Sequence, residues 1–297
     1  AMTLGDASHI DPATRDAYSQ TGASHVLSLS GLHLSILFGF IKLFILDRCA
    51  SRRLRAAGHA LTILALWAYA LLAGLPVSLV RSTIMYSLLI LAGLSNRTGG
   101  SLNSLASAAL LILLASPLAL FDVSFQLSFL SVASILLILP LLTPQKSNFL
   151  TRALTSFVTL PACAQLAVAP LVAYYFQSVP LYFLPANLIA VPAAGLILYL
   201  ALPFFLIPID GARSLIGQLM DGTADAMNRL LAAIASWPGS HIQFQPTTAG
   251  VFLSYLTLTA AVLLLHKRQR WCAYLFVTLL TLTLCTELVA HGSRSIY

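Results

Sequence analysis

The stretch HVLSLSGLHLSILFGFI, His25 to Ile41, carries two histidines and three serines in a run otherwise apolar enough to enter a bilayer. Imidazoles take up or pass protons near neutral pH, and hydroxyls donate hydrogen bonds to anions. In hydrocarbon such groups cost free energy, about 2.5 to 3.5 kcal/mol for a charged one, so they persist mainly where they face a bundle interior or a wet path. The same conflict recurs at Arg81 in VSLVRSTIMYSLL and at Asp122 and Gln126 in FDVSFQLSFL. Arg81 and Asp122 either pair with each other or present their charges to a substrate. His25 and His33 are eight residues apart and on one continuous helix project to roughly the same face. They either line a path or form a packed polar seam, and Ser28, Ser30 and Ser35 either join that path or hydrogen-bond between helices.

The elements that must hold these residues follow from composition. The chain has 297 residues, 59% hydrophobic and 8% charged, against about 25% charged in soluble domains. With a mean hydropathy of +0.89 this is an integral membrane protein. Apolar runs of about 20 residues cross a hydrocarbon core of roughly 30 Å, and backbone hydrogen bonding in lipid forces them to be helices. The runs are continuous and lack the alternation of an outer-membrane barrel. The expected fold is all-α and polytopic, with about eight spans, near 25 to 46, 59 to 75, 79 to 95, 102 to 120, 122 to 142, 153 to 175, 249 to 265 and 271 to 289. They make one transmembrane domain over 25 to 297, approached by an extracytoplasmic segment over 1 to 24.

Charge sets the orientation. Basic residues follow the first span (Arg48, Arg52, Arg53, Arg55), the third (Arg97), the fifth (Lys146, Arg152) and the seventh (Lys267, Arg268, Arg270). The positive-inside rule makes these loops cytoplasmic and leaves both ends of the chain outside. The apolar segment 183 to 208 breaks this parity if it crosses, because 209 to 248 has no basic cluster, and Pro185, Pro192, Gly195, Pro203 and Pro208 interrupt it. It is therefore expected as a re-entrant or broken pair of half-helices whose N-terminal dipoles favour anions at membrane depth. Residues 212 to 236 form an amphipathic helix, with Leu215, Leu219, Met220, Met227, Leu230, Leu231 and Ile234 opposite Gln218, Asp221, Asp225 and Asn228. It lacks the Lys and Arg of a helix that binds anionic lipid, so it is expected to pack across the outer end of the bundle.

The opening AMTLGDASHIDPATRDAYSQTGAS has neither the basic region nor the apolar core of a signal peptide, and with the abrupt close at HGSRSIY it reads as the edge of a domain cut from a longer chain. Cys49, Cys163, Cys272 and Cys285 are scattered and read as apolar core residues; no metal site or cofactor is expected. There is no phosphate-binding loop to hydrolyse ATP, so any motor is a separate partner. Ser30-Gly31 with His33 faintly resembles an intramembrane serine protease but lacks that family's leading glycine, and no HExxH or paired-aspartate motif occurs, which argues against an enzyme. A small-solute or lipid transporter is the other alternative, since broken helices and midplane polar groups suit it equally.

The polar islands carry a family resemblance. HVLSLSGLHLSILFGF is similar to the block that opens the competence domain of ComEC-type DNA-internalisation proteins, and LAGLPVSLVRSTIMYSLLILAGLSNR resembles the next. FDVSFQLSFLSVASILLILPLL and VPLYFLPANLIAVPAAGLILYL resemble the third and fourth, in family order, with Gly5 and Asp6 matching the approach to the first. The resemblance implies a channel passing single-stranded DNA across the bacterial cytoplasmic (inner) membrane during natural transformation. It implies a cytoplasmic ATP-driven motor and extracytoplasmic DNA-delivery proteins as partners, with membrane lipids around it. By motif it assigns His25, Ser30, Gly31 and His33 from the first block and Arg81 from the second. Asp122, Gln126 and Ser128 come from the third and Asn187 from the fourth. The family's OB-like and metallo-β-lactamase-like domains have no counterpart in these residues, which contain no HxHxDH cluster. A single Arg81 cannot neutralise a DNA strand, so histidine, serine and asparagine donors and helix N-termini must share the work. Gly31 and Gly195 would let backbones approach, and Tyr174, Tyr175, Phe176, Tyr182 and Phe183 either stack bases at an outer mouth or form an interfacial belt.

Overall fold

A computed structural model describes residues 10–28, 31–44, 51–94, 101–143, 148–267 and 269–294. In chain order the helices are α1 (Pro12–Gln20), α2 (Ser24–Leu27), α3 (Gly31–Phe44), α4 (Arg52–Leu72), α5 (Val77–Leu94) and α6 (Ser101–Ala115). After a 3-10 turn at Pro117–Phe121 come α7 (Val123–Leu142), α8 (Phe149–Phe176), strand β1 (Ser178–Pro180), α9 (Phe183–Leu206) and α10 (Asp210–Ala235). Strand β2 (His241–Gln243), α11 (Thr248–Lys267) and α12 (Arg270–Arg294) complete the chain. The all-helical expectation therefore holds.

Among the described residues six helices are long and apolar enough to span: Arg53–Leu72, Val123–Leu142, Phe149–Phe176, Phe183–Phe205, Thr248–Lys267 and Arg270–Ala290. Three apolar helices are shorter, His33–Leu43, Val77–Ala92 and Ser101–Ala115. The expected count of about eight is thus not met by length. Near 25 to 46 the helix is interrupted because Ser28 is extended (φ −92°, ψ 149°) and ends α2. Near 102 to 120, α6 stops at Ala115, before the extended Ser116 and Pro117.

The segment 183 to 208 corrects the expectation of half-helices. It is one continuous helix, α9, with Pro192 and Pro203 inside it. A proline removes one backbone donor and bends a helix, while Pro185 sits in the first turn where no intrahelical partner is lost. The midplane dipoles sought in that segment are therefore absent from α9.

The structure divides into two compact units, Ala1–Gln126 with Pro185–Ser240, and Leu127–Leu184 with His241–Tyr297. In the first unit α3, α4 and α5 bury Leu34, Leu66, Ala70, Leu79 and Ile90 against one another, with the Phe38 and Tyr86 rings 5.3 Å apart. The turn from α4 to α5 is set by GLP. Gly74 takes φ +81° and donates to Leu71 O at 3.0 Å, Leu75 donates to Ala70 O at 2.8 Å, and Pro76 prevents continuation. The helix expected over 212 to 236 is α10, against which α1 packs. Tyr18, 1% exposed, donates its phenol to Asn228 Oδ1 at 2.8 Å.

In the second unit Ser134 on α7 donates to Cys163 O on α8 at 2.6 Å, and Tyr255 on α11 donates to Ala167 O at 3.0 Å. Pro170 lacks the N–H that would bond Leu166 O, and Ala167 O beside it accepts from Tyr255 where the proline ring disturbs the ladder. Gln177 ends α8 in the left-handed region (φ 53°), and β1 pairs antiparallel with β2, Val179 opposite Ile242. At the N-terminus of α11 the backbone N–H and hydroxyl of Thr247 donate to Glu287 Oε1 of α12 at 3.0 and 2.9 Å.

Candidate functional site

Arg81 lies one turn into α5 and is 2% exposed. Its Nη1 and Nη2 atoms donate to Ser124 Oγ at 3.5 and 3.4 Å, while Nε is buried without a hydrogen-bond partner among the described residues. Ser124 opens α7, and its backbone N–H donates to Asp122 Oδ1 at 3.0 Å. Asp122 thus caps α7 in the manner of an N-cap carboxylate and lies close enough to act on Arg81 electrostatically. Gln126, one turn on, donates from Nε2 to Leu120 O at 2.9 Å, bracing the 3-10 turn that delivers Asp122.

α3 meets α5 beside the arginine. A methyl group on Gly31 would stand 3.0 Å from Ser82 Oγ, and that hydroxyl is itself held by Ser78 O at 3.0 Å. The close contact at Gly31 is thus with the Ser82 side chain, not the backbone-to-backbone approach expected. Gly195 differs, because a methyl there would meet open space among the described residues. His33 is buried on α3. Asn187, near the start of α9, is buried with Oδ1 lacking a partner among the described residues.

The two histidines do not share a helix. His25 lies on α2 with its side chain exposed and its carbonyl accepting from Ser28 Oγ at 3.0 Å, whereas His33 belongs to α3. The extended Ser28 breaks the register that would align them, and Ser28 bonds locally rather than between helices. Ser30 lies outside the described residues. Ser128, partly buried, belongs to the second unit, where its carbonyl accepts from Ser131 Oγ at 2.9 Å.

The geometry thus joins Arg81, Asp122 and Gln126 around the entry to α7, with Gly31 packed beside them on α3. Ser124 was not foreseen, although an acidic residue two places before a serine at a helix start is a legible capping signal. Glu287 was also passed over, although a carboxylate in TLTLCTELVA stands out within an apolar span. Its contacts at Thr247 make it a helix-terminus partner.

A family model described as "Competence protein" matches residues 2–268. Among curated proteins, ComE operon protein 3 of Bacillus subtilis (strain 168) is 27% identical over 293 residues, which cover 94% of this chain and 35% of that protein. The chain thus spans about a third of the length of the curated relative it matches. No solved structure matches it.

Proposed function

Because this chain belongs to the competence protein family, we propose that it forms the membrane-embedded path by which single-stranded DNA crosses the bacterial cytoplasmic membrane in natural transformation. The observation that carries this reading is Arg81, a cation 2% exposed whose Nε has no partner among the described residues. Burying a guanidinium with a donor unmet is costly unless the position is used by something that arrives. A phosphodiester oxygen supplies the missing acceptor, and the two Nη contacts to one hydroxyl are long enough to yield when it does.

Asn187 adds a buried carbonyl oxygen able to accept from a base edge, and His33 adds a buried imidazole. A single fixed cation suits passage, since a run of them would hold the strand by counterion release and stop it. Asp122 works through position, capping α7 so that Ser124 meets the guanidinium. The path needs no covalent step. The basic loops face the cytoplasm under the positive-inside rule, where the ATP-driven motor pulls, and DNA-delivery proteins act on the opposite side.

The test compares Arg81→Gln with the unaltered sequence, within the native protein in a transformable host. Internalised labelled DNA should fall at least tenfold at equal membrane abundance and equal thermal stability. Parallel loss of abundance and uptake would make Arg81 a structural residue.

A further inference from the structure

Strands β1 and β2 fix a depth. Paired strands stand about 5 Å apart, so Ser178–Pro180 and His241–Gln243 cannot lie on opposite sides of a hydrocarbon core roughly 30 Å thick. Tyr174, Tyr175 and Phe176 lead into the ladder and Tyr182 leaves it, the side chains that favour the membrane–water boundary. The charge pattern agrees, since basic residues sit at the start of α8, at Lys146 and Arg152, and between α11 and α12, at Lys267 and Arg270, leaving both strands on the other side. The chain from 181 to 240 therefore leaves and returns on one side and crosses an even number of times.

α9 supplies one crossing, with 23 residues from Phe183 to Phe205 at mean hydropathy 2.2. The return must fall between 207 and 240, where the described helix is α10. Its 26 residues reach about 39 Å, enough to span.

α10 has three faces. Met227, Leu231 and Ile234 are buried against protein. A separate row, Leu215, Leu219, Gly222, Ala226 and Leu230, is uncovered by protein, as is Trp237 just beyond the helix end. Leu215 to Ala226 is eleven residues, three turns at about 3.67 residues, which keeps the row straight along the helix. Within α10 it is about 22 Å long, about three quarters of the hydrocarbon core. Gln218, Asp221, Asp225 and Arg229 are confined to the remaining face, which is likewise uncovered by protein among the described residues. At the turn from α9, Arg213 lies 4.9 Å over the Phe204 ring, an arrangement suited to an interfacial anchor.

We infer that α10 crosses the membrane, setting its uncovered apolar row against lipid acyl chains and turning Gln218, Asp221, Asp225 and Arg229 toward a water-filled interior. The three-faced pattern dilutes its mean hydropathy. The inference rests on strand pairing and chain connectivity, and does not depend on DNA being the substrate.

Sidedness tests it. In the native protein with its cysteines replaced by serine, Ile209→Cys and Ser236→Cys are each treated with a membrane-impermeant maleimide in intact spheroplasts and after lysis. Ser236 is preferred to Gly239, whose φ of +70° strains any side chain. Ser236→Cys should label in intact spheroplasts and Ile209→Cys at least tenfold more after lysis. Labelling of both from one side overturns the crossing. Should the cysteine-free background fail to accumulate, epitope insertions after Ile209 and after Gly239 in the otherwise unaltered protein read the same contrast, and detection of both on one side is equally fatal. Facing is tested with a hydrophilic methanethiosulfonate, which should modify Asp225→Cys at least tenfold faster than Ala226→Cys; equal rates overturn the wet face.

Discussion

Ser124 holds Arg81: its hydroxyl oxygen accepts from both terminal guanidinium nitrogens, while its backbone N–H is committed to Asp122. The arginine is thus tethered through a neutral residue at the start of α7, and the charge of Asp122 is spent partly on that helix terminus.

Asp122 should consequently tolerate loss of charge better than loss of shape. Asp122→Asn keeps an acceptor for the Ser124 N–H and should stay within about 0.5 kcal/mol of the unaltered stability, whereas Asp122→Ala loses the cap and about 1 kcal/mol. Thermal unfolding in detergent separates them. Equal damage by both would mean that a direct attraction to Arg81 dominates.

Gly31 offers a rescue experiment. Gly31→Ala places a methyl 3.0 Å from Ser82 Oγ, which cannot swing away without leaving Ser78 O. Overpacking of this kind costs about 1 to 3 kcal/mol. Adding Ser82→Ala, whose Cβ stays 3.7 Å away, should restore most of the loss, and a double variant no better than the single one would remove the α3–α5 approach as the cause.

Gly250 should be intolerant for a related reason. A methyl there collides with the Glu287 carboxylate where Thr247 binds it. Gly250→Ala should therefore lower the yield of folded protein, and Glu287→Gln should not relieve it because the amide fills the same space. Relief by Glu287→Ala completes the check.

Tyr18 carries a pH signature. Burial against α10 pushes its phenol up to about 12, from an ordinary value near 10. The folded state has the higher value, so its contribution is intact below pH about 10 and fades as pH rises toward about 12. Tyr18→Phe, which loses the bond to Asn228, should cost about 1 kcal/mol at neutral pH and flatten the alkaline decline. An unchanged alkaline profile in Tyr18→Phe would assign it to other groups.

Much of this architecture is readable in the amino-acid sequence, because long apolar runs leave helices as the way to satisfy a backbone in lipid. The amphipathic α10 was legible from the spacing of Leu215, Met227 and Ile234. What failed was local. Ser28 adopts an extended conformation that no residue type around it announces, and this separates His25 from His33. The prolines of 183 to 208 suggest breaks, although each removes a single donor and α9 runs through Pro192 and Pro203. Ser124 escaped notice because its bond to Arg81 spans 43 positions and depends on how the 3-10 turn aims α7. The apolar residues of α10 were read as one face, and only burial divides them into a packed set and an uncovered row.

The length of α8 has a mechanical corollary. Its 28 residues make about 42 Å of helix, roughly 12 Å more than the hydrocarbon core it must cross. That surplus is accommodated by tilt, by bending at Pro161 and Pro170, or by projecting into the headgroups. Each response depends on how thick the surrounding bilayer is. Acyl-chain length thereby becomes a force on α8, passed to α7 through Ser134 and to α11 through Tyr255.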